Sequence, residues 1–293
     1  MRKGIQFWAL IVVVGGMAGD SALAITNGAP DGDGHPNVGT PFFTYRGFTT
    51  QGPATINYNI CTGTLIAEDV LLTAGHCFIG SSGTSPNNLW VSFDPDFTTQ
   101  VVDSTPPADP TPNEPRVRVS GILVDPGFTN ASLGVNEQNA DSAVLFLDLN
   151  TVVGGPLPAP AALPTEGMLA EMRDKNGLHG QRFTAVGYGS TVIFGDGKPY
   201  FPDPFERRAA ESEYLAMTPG YLVLSMNPNT GDGGTCYGDS GGPNFLRLED
   251  GTEVLAATTI QGDAVCRATN VVYRLDTERA RMFLGSVMGD ALP

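Results

Sequence analysis

The chain has 293 residues and a formal charge of −15, with 41% apolar residues and 16% charged ones. That apolar content is enough to fill a core and excludes global disorder. The acidic balance is repelled by phosphate backbones and anionic lipid, which excludes nucleic-acid and membrane-surface roles. Glycine (37) and proline (23) are abundant, which suits many short strands joined by turns rather than a helical bundle.

Residues 1–24 read as a secretory signal. Arg2 and Lys3 supply the positive start, and Phe7 to Ala18 is an apolar run too short to span a bilayer comfortably. Ala22-Leu23-Ala24 has the A-x-A form of a cleavage site. The mature chain, expected to begin at Ile25, leaves the cytoplasm for an extracellular or periplasmic space where disulfides persist, with no membrane contact after signal cleavage. Its four cysteines are Cys61, Cys77, Cys236 and Cys266. Four cysteines allow three pairings, and spacing alone does not choose among them. They are not spaced as C-x-x-C pairs, and no metal is expected.

Ile25-Thr26-Asn27-Gly28 opens the mature protein, followed by a turn-rich run to Gly39. Strands are expected at Phe42–Tyr45, Ala54–Tyr58, Cys61–Ile66, Val70–Ala74, Leu89–Phe93 and Val117–Val124. Proline-rich Asp103–Pro115 reads as an exposed loop. Asp141 enters an apolar strand that runs on through Leu147, and Asn130-Ala131-Ser132 is a glycosylation sequon. Gly154–Pro164 reads as a linker, placing the division between a first domain, 25–155, and a second, 156–293. Arg182–Gly189 is the next strand. Residues 190–206 form a long loop with an aromatic tip at Tyr200, Phe201 and Phe205, and Arg207-Arg208 beside it reads as a site of proteolytic nicking. Strands follow at Tyr221–Met226, Val254–Gln261 and Val271–Leu275. Asp276-Thr277-Glu278 starts a helix that runs to about Met288. No internal repeat is visible.

The run Gly238-Asp239-Ser240-Gly241-Gly242-Pro243 places one hydroxyl among residues with almost no side-chain bulk. Glycines at 238, 241 and 242 permit backbone conformations that a Cβ forbids. A tight turn there can aim N–H groups at one point beside Ser240, which is what acyl transfer needs. Two further pieces precede it in order: His76 in Leu72-Thr73-Ala74-Gly75-His76-Cys77, and Asp141 in Asp141-Ser142-Ala143-Val144-Leu145. Of the three histidines, only His76 follows a buried strand and adjoins a cysteine.

In this order and with these separations the three motifs resemble the chymotrypsin/trypsin-like serine proteases, across nearly all of residues 25–288. The resemblance implies an all-β fold of two antiparallel β-barrels with a short C-terminal helix. It implies a secreted serine endopeptidase that needs no cofactor, acts on polypeptides and works as a monomer. His76, Asp141 and Ser240 become the catalytic triad, with the oxyanion donors at the backbone N–H groups of Gly238 and Ser240. The implied disulfides are Cys61–Cys77 and Cys236–Cys266, and the absence of the further bridges of animal relatives points to a microbial-type member. The α-amine of Ile25 is expected to pair with Asp239. Gly234 replaces the Asp with which trypsin-like members bind Arg or Lys, which argues against that preference. The pocket is assigned to Gly234, Thr235, Ile260, Gln261, Gly262 and Val271, with Asp263 at the rim and a small or medium apolar substrate residue as its occupant. The alternatives are an inactive homologue serving as a binding module, and an esterase with the same triad.

Overall fold

The structure, a computed structural model, describes residues 25–49, 52–84, 86, 88–97, 100–101, 115–129, 140–195, 198–201 and 206–293. The signal segment, the glycosylation sequon and nearly all of the proline-rich loop lie outside the described residues. No helix among the described residues is long and apolar enough to cross a membrane.

Twelve strands build two barrels. The first contains β1 (Val38–Thr49), β2 (Gly63–Ala67), β3 (Val70–Thr73), β4 (Leu89–Ser92), β5 (Arg116–Val124) and β6 (Ala143–Val153). All their pairings are antiparallel, and they close in the order β1-β2-β3-β6-β5-β4 with β4 returning to β1. The second contains β7 (Arg182–Gly187), β8 (Arg208–Met217), β9 (Tyr221–Ser225), β10 (Pro243–Arg247), β11 (Glu253–Gly262) and β12 (Thr269–Arg274). It closes in the same cyclic order, β7-β8-β9-β12-β11-β10 and back to β7. The two halves share one topology although no repeat is visible in the sequence, because burial pattern rather than residue identity sets strand order.

Side-chain alternation along the strands sorts the core. In β6, Ala143, Leu145 and Leu147 enter the interior of the first barrel with Leu71 and Val91, while Val144 faces a second cluster. That second cluster lies between the halves and joins Leu72 and Val144 to Val186, Phe245 and Tyr273 of the second barrel. A strand with apolar residues on both faces is expected where each face meets a packed layer. Helix α1 (Met168–Asp174), which the sequence reading did not anticipate, adds Leu169 to the interior cluster of the second barrel. Helix α2 (Glu278–Met288) begins where Thr277 accepts a hydrogen bond from the Ala280 N–H. It buries Ala280, Phe283 and Leu284, a one-face spacing, against the cluster between the barrels.

Arg207 and Arg208 overturn the reading of an exposed nick site. Their side chains are only 1% and 2% exposed. Arg207 donates to the Asp31 carboxylate (2.8 Å), to the carbonyls of Gly32, Val38 and Phe93, and to the Tyr188 hydroxyl. One guanidinium thus ties the N-terminal segment to both barrels. Arg208 donates to the Gly28 carbonyl and pairs with Glu206. Five planar donors can satisfy several carbonyls at once, which is how such a cation is kept inside.

Asp31 is the counter-ion, and it also pairs with the His35 ring, whose other nitrogen lies 3.3 Å from Glu253. Burial by itself raises the Asp31 carboxyl, but hydrogen bonds from His35 and Arg207 outweigh it and hold the group below its ordinary value. A carboxyl held low in the folded state stabilises the fold above its unfolded pKa of about 3.9. That contribution disappears as pH falls through the lower folded value. Asp31→Asn should therefore lower unfolding free energy at neutral pH by about 3–5 kcal/mol, since Arg207 keeps its charge. It should also flatten the further loss of stability below about pH 4. Denaturant unfolding across a pH series measures both effects.

Candidate active site

Strand β3 ends at Thr73, and a short 3-10 turn, Gly75–Phe78, carries His76. Thr73 pairs with Ala143 at the start of β6, so the residues just beyond both strand ends meet. Asp141, whose side chain is 2% exposed, accepts there from the His76 backbone N–H (2.8 Å) and from ring Nδ1 (2.8 Å). Two bonds to one carboxylate fix the ring and hold Nδ1 as the donor, leaving Nε2 as the acceptor when the ring is neutral. The disulfide Cys61–Cys77 pins this turn to the segment before β2. His76 lies close enough to both sulfurs to suggest a cation site, but the disulfide leaves no thiolate to ligate one.

Ser240 comes from the second barrel, on the turn between Cys236 and β10. The turn is built around Asp239, which is fully buried. Its Oδ1 accepts from the Gly189 N–H and its Oδ2 from the Cys236 N–H, each at 2.8 Å. The Gly242 N–H closes the loop onto the Asp239 carbonyl. Gly241 has φ +79°, and a Cβ there would lie 2.2 Å from Thr73 Oγ1 and 2.4 Å from the Ala74 nitrogen. Only a glycine lets the Ser240 turn come this near to the end of β3.

Thr62, which the sequence reading passed over, holds that approach. Its N–H donates to the Ser240 carbonyl (2.9 Å) and its hydroxyl to the Gly238 carbonyl (3.1 Å). The same hydroxyl accepts from the Tyr188 N–H, and the Thr62 carbonyl accepts from Thr73 Oγ1. The only trace of this in the sequence is a small hydroxyl residue between Cys61 and Gly63. Among the described residues neither the Gly238 nor the Ser240 backbone N–H has an acceptor.

His76, Gly238 and Ser240 line one cleft of about 270 Å³. No direct hydrogen bond joins the His76 ring to the Ser240 hydroxyl. A family model described as Trypsin matches residues 38–277. This chain belongs to the trypsin family. Membership makes it a serine-type peptidase at the level of the family, acting on polypeptides. The two barrels with a short C-terminal helix are the fold expected for this family.

Other walls of this trypsin-family cleft are formed by Thr235, Cys236 and Tyr237 from one segment and by Thr259 to Asp263 and Cys266 from another. The second disulfide, Cys236–Cys266, joins the two walls. Four of the expected pocket residues, Thr235, Ile260, Gln261 and Gly262, line the cleft, and Gly234 and Val271 are not among its lining residues. The Gly234 N–H donates to the Thr26 carbonyl, and a Cβ at 234 would lie 2.5 Å from Met226 Cγ, inside the packing behind the wall. Val271 packs with Ile260 against the cluster between the barrels. Asp263 lines the cleft and at the same time closes its own loop. Its Oδ1 accepts from the N–H groups of Arg267, Ala268 and Thr269, and these bonds hold the carboxyl low despite burial that raises it.

A chain of buried side chains links the walls from behind. Thr235 Oγ1 donates to Asn270 (2.8 Å), Asn270 Nδ2 to Asn244 (3.2 Å), and Asn244 Nδ2 to Thr259 Oγ1 (2.9 Å). The expected apolar lining is thus backed by polar groups that satisfy one another.

Ile25 is fully buried against Ala185 and Ala210, and Thr26 forms a β-bridge with Gly234. The N-terminal segment is thereby paired with the segment that leads to the Ser240 turn.

Thr62→Val keeps the shape of residue 62 and removes its hydroxyl from both Gly238 and Tyr188. It should lower unfolding free energy by about 1–3 kcal/mol, read by denaturant titration. Gly241→Ala should be the more damaging change, since no side-chain rotation relieves contact with the Ala74 backbone. A larger loss of stability for Thr62→Val than for Gly241→Ala would contradict this account of the interface.

Proposed function

We propose that this chain is a secreted serine endopeptidase that cleaves peptide bonds through an acyl-enzyme, with His76, Asp141 and Ser240 as its triad. The observation that carries the reading is a histidine fixed by two hydrogen bonds to a buried carboxylate, in the same cleft as Ser240. His76 Nε2 takes the Ser240 proton as Oγ attacks the substrate carbonyl carbon. Asp141 holds Nδ1–H and stabilises the imidazolium. The Gly238 and Ser240 N–H groups receive the developing oxyanion, a role for which both are available. The intermediate collapses, the C–N bond breaks, and His76 gives its proton to the leaving amine. Water then enters by the same route, and the acyl group leaves as a carboxylic acid.

The substrate residue in the pocket is small or medium and uncharged. A Lys or Arg there would bury its charge between Thr235 and Thr259, and the carboxylate in the cleft wall, Asp263, is already engaged by the N–H groups of its own loop. Signal peptidase, cutting after Ala24, would itself free the Ile25 amine. In the uncut chain Ile25 has φ +53°, a strained conformation for a β-branched residue. Cutting removes the preceding carbonyl that defines this strain and supplies a cation for Asp239. The mature enzyme acts as a monomer whose domains divide between 155 and 156.

Ser240→Ala and His76→Ala should each lower kcat by about 10⁶, by analogy with other triads. A fluorophosphonate should label Ser240 in the wild type alone. Absence of labelling would favour the binding-module alternative, and turnover of short acyl esters without cleavage of casein would favour an esterase. A peptide library read by mass spectrometry should show little cleavage after Arg or Lys.

A further inference from the structure

We propose that Tyr237 and Phe201 form an aromatic clamp at the mouth of the cleft that grips a bulky apolar side chain of the polypeptide substrate, close to the bond being cut. This rests on the peptidase reading above. Tyr237 directly precedes Gly238 and lines the cleft that Ser240 and His76 share. Its side chain is 55% exposed, yet its position is set from several directions. The hydroxyl donates to the Ala264 carbonyl (3.1 Å), and the backbone carbonyl accepts from the Ser190 N–H (2.6 Å). The Phe201 ring meets it edge-on, with centroids 5.1 Å apart and planes at 87°.

Phe201 is delivered by a hairpin that belongs to neither barrel. Ile193–Gly195 pairs only with Lys198–Tyr200 in a separate two-stranded sheet. This hairpin lies in the long loop whose aromatic character stood out in the sequence. Two further exposed apolar residues lie next in sequence to the groups that this ring pair touches. Tyr200, next to Phe201, is 64% exposed, and Val265, next to Ala264, is 38% exposed. Exposed apolar side chains scattered singly need no explanation, but a packed ring pair at the edge of a cleft marks a contact surface. Ordered aromatic rings suit that use, because they offer large area at a small entropy cost and pair well with a third apolar group. The occupant is the substrate chain itself, since the patch is continuous with the place where the scissile bond must lie.

The test is a peptide library varied at the three positions on each side of the cleaved bond, cut by wild type, Tyr237→Ala, Phe201→Ala and the control Leu215→Ala, whose exposed side chain is remote from the cleft. Rates are referred to active sites titrated with a fluorophosphonate, so that loss of folded enzyme drops out. Wild type and control should favour Phe, Tyr or Leu over Ala at one of these positions by about tenfold in kcat/KM, and both clamp variants should abolish that preference. Tyr237→Phe should retain it. The clamp is refuted if the wild type shows no such preference, or if the preference survives both alanine substitutions while Ser240 still labels. A wild type that neither labels nor cuts any peptide refutes the peptidase reading first and the clamp with it.

Discussion

The site depends on one close approach between two barrels. Ser240 sits on a turn of the second barrel, and its proposed partners sit on the first. The turn reaches them because Gly241 has no side chain to strike Thr73 and Ala74. Thr62 then holds the contact with hydrogen bonds to the carbonyls of both Ser240 and Gly238. These bonds fix the peptide planes that follow Gly238 and Ser240, and with them the shape of the turn. A steric permission and a few buried hydrogen bonds thus set the position of Ser240.

An arrangement of this kind needs the barrels to be rigid with respect to each other. Three unlike devices serve that end. A shared apolar cluster fills the space between the barrels, and α2 lays Phe283 and Leu284 against it. Arg279 of the same helix pairs with Asp125 of the first barrel. Arg207 supplies the polar counterpart, reaching the carbonyls of Val38 and Phe93 from one barrel and the Tyr188 hydroxyl from the other. Directional bonds of this kind specify a unique docking, whereas apolar contact mainly supplies free energy.

The walls of the cleft show the same division of labour. The disulfide Cys236–Cys266 joins them covalently, and the relay Thr235–Asn270–Asn244–Thr259 joins them by hydrogen bonds. Asparagine suits the inner positions because one amide can donate and accept at once without carrying charge. A carboxylate in the same place would invite a cationic substrate residue. The neutral relay supports the walls without adding a charge behind them.

Much of this was legible from the sequence, and the reason is locality. The buried strands around Val70–Thr73 and Ala143–Leu147 announce themselves by apolar runs, and helix α2 by its cap at Thr277 and its spacing of apolar residues. His76, Asp141 and Ser240 stand out because each lies in a short motif whose residue types suit one chemistry. What the sequence could not reveal depends on distant partners. Strand β8 contains Ala209, Ala210, Glu211 and Glu213, residues that favour helix, and becomes a strand only because β7 and β9 flank it. Arg207 and Arg208 look exposed until Asp31 and the carbonyls around them are in place. Thr62 has no motif at all, and nothing in the sequence around Gly234 announces that a Cβ there would meet Met226. The sequence by itself determined which segments extend and which residues carry reactive groups, since those follow from local pattern. The tertiary structure alone decided burial, partnership and the direction each group faces, since those are set by contacts between residues up to two hundred positions apart, such as Asn27 and Asp232.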